Sequence, residues 1–225
     1  MRFFYEILEG FSYLFRFLKY AIISRHRGGF GIHSPFVYDF YCNIINQSKE
    51  AADLKAIKKI RKELVKQKIS FYTNDPGTGS KKATNRRLSL KTAVKKMSIP
   101  HKYGIILYRI IEYYALRNIL EIGTGVGIST CYLSKETRAN SVHTIEGDPQ
   151  KAHFAEELFK KYYLVNVQIW INHFDDILFS VLKNMPYSPD FVFIDGNHRK
   201  ASTIQYFEII LPFLHNDAVV VLDDI

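Results

Sequence analysis

Cysteine is scarce. Cys42 and Cys131 are the only two in 225 residues, far apart and outside any CxxC spacing, so neither a disulfide framework nor a zinc site is supported. Both read as reduced, buried thiols. Uninterrupted apolar runs are lacking too. The stretch from Met1 to Ile23 is strongly apolar, but Glu6, Glu9, Arg16 and Lys19 break it too often for a membrane span. No small-residue cleavage site follows it, which argues against a signal peptide and for the cytoplasm. Acidic residues are sparse in the first half. Through Arg117 there are 23 Lys and Arg against 8 Asp and Glu, a net +15, and the remainder carries 8 against 14, a net −6. A basic front half suits nucleic acid, an anionic membrane surface, an acidic substrate or simply a solvated face, while an acidic back half suits carboxylate chemistry.

What is present is a core-forming composition. Hydrophobic residues make up 47% and aromatics 15%, which excludes a disordered or collagen-like chain. The length allows one full α/β domain with a smaller appendage and no second large domain. In residues 1 to 23, Phe4, Ile7, Leu8, Phe11, Leu14, Phe15 and Leu18 recur at three- and four-residue steps, predicting an amphipathic helix in search of a partner surface. That partner is the protein's own core or an anionic membrane surface. A glycine-rich turn, Gly28 to Pro35, precedes a second helix over 36–46, and a lysine-rich helix follows over 49–68 with a thin stripe of Leu54, Ile57, Ile60 and Leu64. Gly31 to Phe36 reads as a packing turn rather than part of a substrate pocket. Ile69 to Tyr72 is strand-like. Asp75-Pro-Gly-Thr-Gly-Ser80 combines glycines and hydroxyls, but no apolar helix opens after it, so it reads as an exposed loop. Residues 83 to 97 read as one more basic helix.

From His101 the texture changes to alternating helices and apolar strands. Strands are expected at 118–122, 142–146, 167–171, 191–195 and 218–223, with helices over 128–136, 149–164, 175–184 and 201–214. The alternation predicts an α/β fold, a doubly wound and mostly parallel sheet, with residues 1–100 as a helical, basic extension or substrate cap and residues 101–225 as the main domain.

Ile119-Leu-Glu-Ile-Gly123 runs directly into Thr124-Gly-Val-Gly127 and a helix opening at Ile128. Glycines at 123, 125 and 127 let the backbone turn sharply and approach a nucleoside, and the helix start offers free N–H groups to an anion. Nineteen residues after Gly127, the next strand ends in Glu146, whose carboxylate is placed to accept both hydroxyls of an unphosphorylated ribose. That fits S-adenosylmethionine, NAD or FAD alike. Asp148-Pro149 supplies a helix cap and first turn.

Glu121-Ile-Gly-Thr-Gly-Val-Gly-Ile-Ser-Thr130, Thr144-Ile-Glu-Gly-Asp-Pro149 and Phe193-Ile-Asp-Gly-Asn-His198 together resemble the successive motifs of class I S-adenosylmethionine-dependent methyltransferases. Within that class the chain is most similar to the catechol and caffeoyl-CoA type O-methyltransferases, over about residues 101–225. The resemblance implies a Rossmann-like sheet of seven strands, the last antiparallel, and S-adenosylmethionine as cofactor. It implies that Gly123 and Gly125 line the methionine part, Ser129 binds its carboxylate, Glu146 binds the ribose, and Phe174 and Asp175 flank the adenine. Glu121, Thr124 and Gly127 complete the candidate cofactor set. Because the family continues past its fifth strand and this sequence stops at Ile225, truncation there is the expectation.

Strand ends also bring Asp195, Asp223 and Asp224 to the carboxyl edge of the sheet. Such a trio would repel unless protonated or bridged by a hard cation such as Mg²⁺. Metal-dependent relatives carry Asn where this chain has Asp224. A metal there would chelate two substrate oxygens and lower a hydroxyl's pKa. His198 stands where the catechol-type enzymes place a lysine base, so Asp195 and His198 are the candidate catalytic pair, with a loop histidine bonded to a carboxylate as the plainer reading.

The reaction expected is methylation of a hydroxyl on a small-molecule acceptor. A nucleic-acid methyltransferase is the first alternative, prompted by the basic half, but the Asn/Asp-Pro-Pro-aromatic run of the amino-methylating branch is replaced here by Asp195-Gly-Asn-His198. An NAD-linked dehydrogenase would carry Gly-x-Gly-x-x-Gly. A membrane-surface or scaffold protein on an inactive methyltransferase core, docking through residues 1–23, is the third.

Overall fold

A computed structural model describes residues 13–20, 23, 31–48, 51–73, 86–135 and 141–223. It divides into two compact units, residues 1–48 and 49–225. In the first, residues 13–20 are helical. Helix α1 (Pro35–Phe40) is capped by Ser34, whose hydroxyl accepts from the Val37 N–H, and continues as a π-helical turn over Tyr41–Ile45. The rest of the expected first helix, Gly28 and Gly29, the 74–85 loop and Asp224 lie outside the described residues.

The second unit begins with α2 (Ala52–Lys66), which buries Leu54, Ile57, Ile60 and Leu64. Strands β1 (Ser70–Thr73) and β2 (Arg86–Ser89) pair antiparallel, followed by α3 (Leu90–Lys96). Residues 86–89 thus correct the expectation of a single helix over 83–97. Leu88 alternates with exposed Arg87 and pairs with Phe71, so a half-buried edge overrides the helix-favouring lysines that follow. Arg61 ties these pieces together, donating to the carbonyls of Ile99 at 2.7 Å and Val94 at 3.2 Å. The second compact unit takes in α2, packed along its thin apolar stripe.

Helix α4 (His101–Tyr114) leads into β3 (Asn118–Ile122), α5 (Ile128–Ser134), β4 (Ser141–Glu146), α6 (Pro149–Lys161), β5 (Val167–Ile171), α7 (Phe174–Asn184), β6 (Phe191–Ile194), α8 (Lys200–Ile210), a 3₁₀ turn at Leu211–Phe213 and β7 (Val219–Leu222). The sheet order is β5-β4-β3-β6-β7. Every pairing in it is parallel. Strands β3, β4 and β6 are buried on both faces, as their apolar runs require. Leu120, Ile122, Ile145, Val192 and Ile194 form one face with Leu178, Val181 and Leu182 of α7 and Tyr206 and Ile210 of α8. Alternation turns Ile119 and Glu121 to the other face.

Asp148 caps α6 by accepting from the Gln150 N–H at 2.9 Å and the Lys151 N–H at 3.4 Å, with Pro149 in the first turn. Its other carboxylate oxygen accepts from the Thr73 hydroxyl, which pins the end of β1 beside the end of β4. Cys131 is buried, but Cys42 is only half-buried, and both are free thiols. Among the described residues no helix is long and apolar enough to cross a membrane.

Candidate functional site

The chain leaves β3 for β4 on one side and returns to β6 on the other, so the strand order reverses at β3. Ligands of such sheets lie outside the carboxyl ends at this point. Here β3 ends in the glycine loop. The Ile145 carbonyl holds the bend, accepting from the N–H of Gly123 at 3.0 Å and of Thr124 at 3.2 Å. Gly123 has φ +102°, and a Cβ on it would lie 2.1 Å from the Asp195 carbonyl oxygen. Only a residue without a side chain lets the β3 loop and the end of β6 touch. Gly125 also has positive φ, but a Cβ there would meet nothing within 4 Å, so it opens on free space. Gly127 (φ +84°) faces Phe159, Leu158 and Ala155, and it serves the packing of α5 on α6, not the crevice.

Glu146 closes this loop from the next strand. Its Oε2 accepts from the Gly125 N–H at 2.7 Å and its Oε1 from the Asp148 N–H at 2.9 Å. Burial pushes its carboxyl up to about 7, with Lys151 and the two backbone donors opposing. Each oxygen retains a second acceptor position.

Glu121 lies elsewhere. It is fully buried beneath the loop, and its Oε2 accepts from the hydroxyls of Thr130 and Thr144, both at 2.6 Å. The Thr124 and Thr144 hydroxyls are 2.5 Å apart, and since Thr144 gives its proton to Glu121, Thr124 donates to Thr144. Burial raises the Glu121 carboxyl, with the hydroxyls of Ser129, Thr130 and Thr144 opposing. Glu121, Thr124 and Ser129 thus turn their side chains into a network under the loop, and a ligand above it would meet their backbone first.

Across the crevice, β6 delivers Asp195, whose N–H donates to the Ile122 carbonyl at 2.8 Å. His198 Nε2 stands 3.9 Å from Asp195 Oδ1, too far for a hydrogen bond. Asp223, one residue past the last β6–β7 couple of Ile194 and Leu222, donates its N–H to the Ile194 carbonyl at 3.0 Å. Asp195 and Asp223 therefore leave neighbouring parallel strands at the same edge. Among the described residues no group of three or more His, Cys, Asp or Glu is assembled to hold a metal.

Phe174 and Asp175 open α7. The Phe174 ring packs on the backbone of Gly196, where a Cβ would come within 2.7 Å of it, and meets Tyr206 edge-on with centroids 5.9 Å apart. Asp175 is exposed, and after burial its carboxylate helps to raise the pKa of the Tyr206 phenol.

Residues 120–225 match the model of a methyltransferase domain family. Over that stretch, just under half of its length, the chain is similar to a methyltransferase domain. Its sheet is also that of solved O-methyltransferases. A structure described as a putative caffeoyl-CoA O-methyltransferase from Staphylococcus aureus is 25% identical, with TM-score 0.50 over 56% of this chain and 58% of that one. The O-methyltransferase of Bacillus cereus, in complex with SAH, is 20% identical, with TM-score 0.55 over 83% and 71%. TomG of Streptomyces achromogenes, involved in tomaymycin synthesis and in complex with SAM, is 21% identical, with TM-score 0.54 over 77% and 66%. The chain thus spans less than two thirds of the first and third of these structures. At such identity the latter two speak for the fold. Within residues 120–225 the glycine loop, Glu146 and Asp195 meet at one edge of the sheet. Sequence reasoning missed Thr144, Asn197 and Tyr206. Only Asn197, a left-handed-tolerant residue after a glycine, carried a local signal.

Proposed function

We propose that the chain binds S-adenosylmethionine and methylates a hydroxyl oxygen of a small molecule. The observation that carries this reading is Glu146, a buried carboxylate bonded to the Gly125 N–H where the glycine loop opens on free space. The residues fit an adenosyl group. Glu146 has acceptor positions left for two ribose hydroxyls, Gly125 leaves room above the loop, and half-buried Phe174 with exposed Asp175 offers an apolar face and a polar edge for a base. Gly123 and the backbone at Ser129 would line the methionine end.

When bound, the cofactor supplies a sulfonium methyl group. Asp195 and His198 are assigned to hold the acceptor and take its hydroxyl proton, their Oδ1 and Nε2 standing 3.9 Å apart. Asp195, Asp223 and Asp224 remain the proposed ligands should a divalent cation take part. Calorimetric titration with S-adenosylhomocysteine tests the cofactor assignment. Glu146→Ala should cost about 1–3 kcal/mol of binding as two buried hydrogen bonds disappear. No binding by the parent chain, or equal binding by the variant, removes the proposal.

Peripheral contact with a membrane surface through residues 1–23 is a separate reading, supported by the exposure of Tyr13, Leu14, Phe15, Phe17 and Leu18. Flotation with anionic vesicles, with and without those residues, decides it.

A further inference from the structure

The loop that follows β6 is shaped by a residue that neither the sequence motifs nor the proposed reaction uses. Tyr206, in the second turn of α8, is 1% exposed, and its phenol oxygen accepts from Asn197 Nδ2 at 3.1 Å. The Asp175 carboxylate lies close enough to the same phenol to raise its pKa, after burial. With the Asn197 amide donating to its oxygen, the phenol O–H has one direction left, towards the neighbouring Asp175 carboxylate. Burial and the nearby Asp175 charge both hold the phenol proton on, so this direction persists across the working pH range.

Asn197 itself sits at φ +59°, a conformation a non-glycine residue keeps only when its surroundings hold it. The holders are visible, since its Nδ2 donates to both Ser202 Oγ at 2.9 Å and Tyr206 Oη. That left-handed turn separates Asp195 from His198. On the apolar side, the Phe174 ring is caught between the Gly196 backbone and the Tyr206 ring. The start of α7 and the 195–198 loop therefore meet at one side chain, by ring packing on Phe174 and through a phenol that bonds Asn197 and adjoins Asp175.

We infer that Tyr206 is a positioning residue that couples Phe174 and Asp175, on the adenine side of the site, to the Asp195–His198 loop on the acceptor side. The inference rests on the proposed function for its meaning in catalysis, but the coupling is a property of the chain alone and is measured without cofactor. In the free protein, the imidazole signals of His198 in a carbon–proton correlation spectrum, assigned with His198→Gln, report the loop. Asp175→Asn should shift them in the parent and leave them unmoved in a Tyr206→Phe background, which keeps the ring and removes the hydroxyl.

A structural role alone would change melting temperature but not this dependence of one substitution on the other. Should Tyr206→Phe fail to fold, Asn197→Gly serves, because glycine takes the positive φ freely and deletes only the amide link. Equal Asp175→Asn shifts in the parent and in either background overturn the inference, as does the absence of a shift in the parent. S-adenosylhomocysteine added to the parent then separates the two claims. Loss of cofactor binding with intact coupling refutes the function and leaves Tyr206 in its role, while binding without coupling does the reverse.

Discussion

Replacing Glu146 by glutamine should reverse the usual relation between a buried carboxylate and stability as pH changes. The carboxyl is 5% exposed, and its pKa is raised from 4.5 to about 7, chiefly by burial. A raised pKa means that the folded state holds the proton more tightly than the unfolded chain, so the stabilisation is complete below the unfolded value and lost as pH climbs through the folded one. At about 1.4 kcal/mol per pH unit, the shift corresponds to about 3 kcal/mol. Glutamine does not titrate. Its amide, however, can accept only one of the two backbone N–H bonds from Gly125 and Asp148, and the donor left over costs about 1–3 kcal/mol.

The parent should therefore be the more stable protein at about pH 4.5, and the two should meet or cross by about pH 8. Urea unfolding of both proteins at matched pH measures this, because groups common to both, including Glu121, cancel in the difference. A difference that stays within about 0.5 kcal/mol over that range, or that grows with pH, refutes the reasoning.

Two further outcomes follow from the same site. If ribose hydroxyls donate to Glu146, binding selects its ionised form. With a pKa of about 7 the affinity for S-adenosylhomocysteine should be roughly tenfold weaker at about pH 6 than at about pH 8, and a flat calorimetric profile would count against ribose contact. The loop glycines should separate sharply. Gly123→Ala drives a Cβ to 2.1 Å from the Asp195 backbone and should cost more than about 3 kcal/mol. Gly125→Ala, at φ +56° with nothing near its Cβ, should cost about 1 kcal/mol in unfolding experiments yet weaken cofactor binding more than that. Similar unfolding costs for the two would contradict the loop geometry.

Local chemistry carried much of this protein into its sequence. Apolar runs too short for helices marked the strands, Asp148 and Pro149 marked the start of α6, and three closely spaced glycines after an apolar strand marked the tight loop, because each signal acts over a few neighbouring residues. Arg86 to Ser89 were misread as helix because their conformation is set by pairing with Ser70 to Thr73 and not by their own propensities. The motif groups Glu121 with the candidate cofactor residues, and strand alternation with the register that sets it beside Thr144 sends its side chain under the loop. Which carboxylate meets solvent, which hydroxyl supports it, and how Tyr206 joins two loops were decided only once the strands were paired, since hydrogen bonds between distant segments leave no periodic trace along the chain.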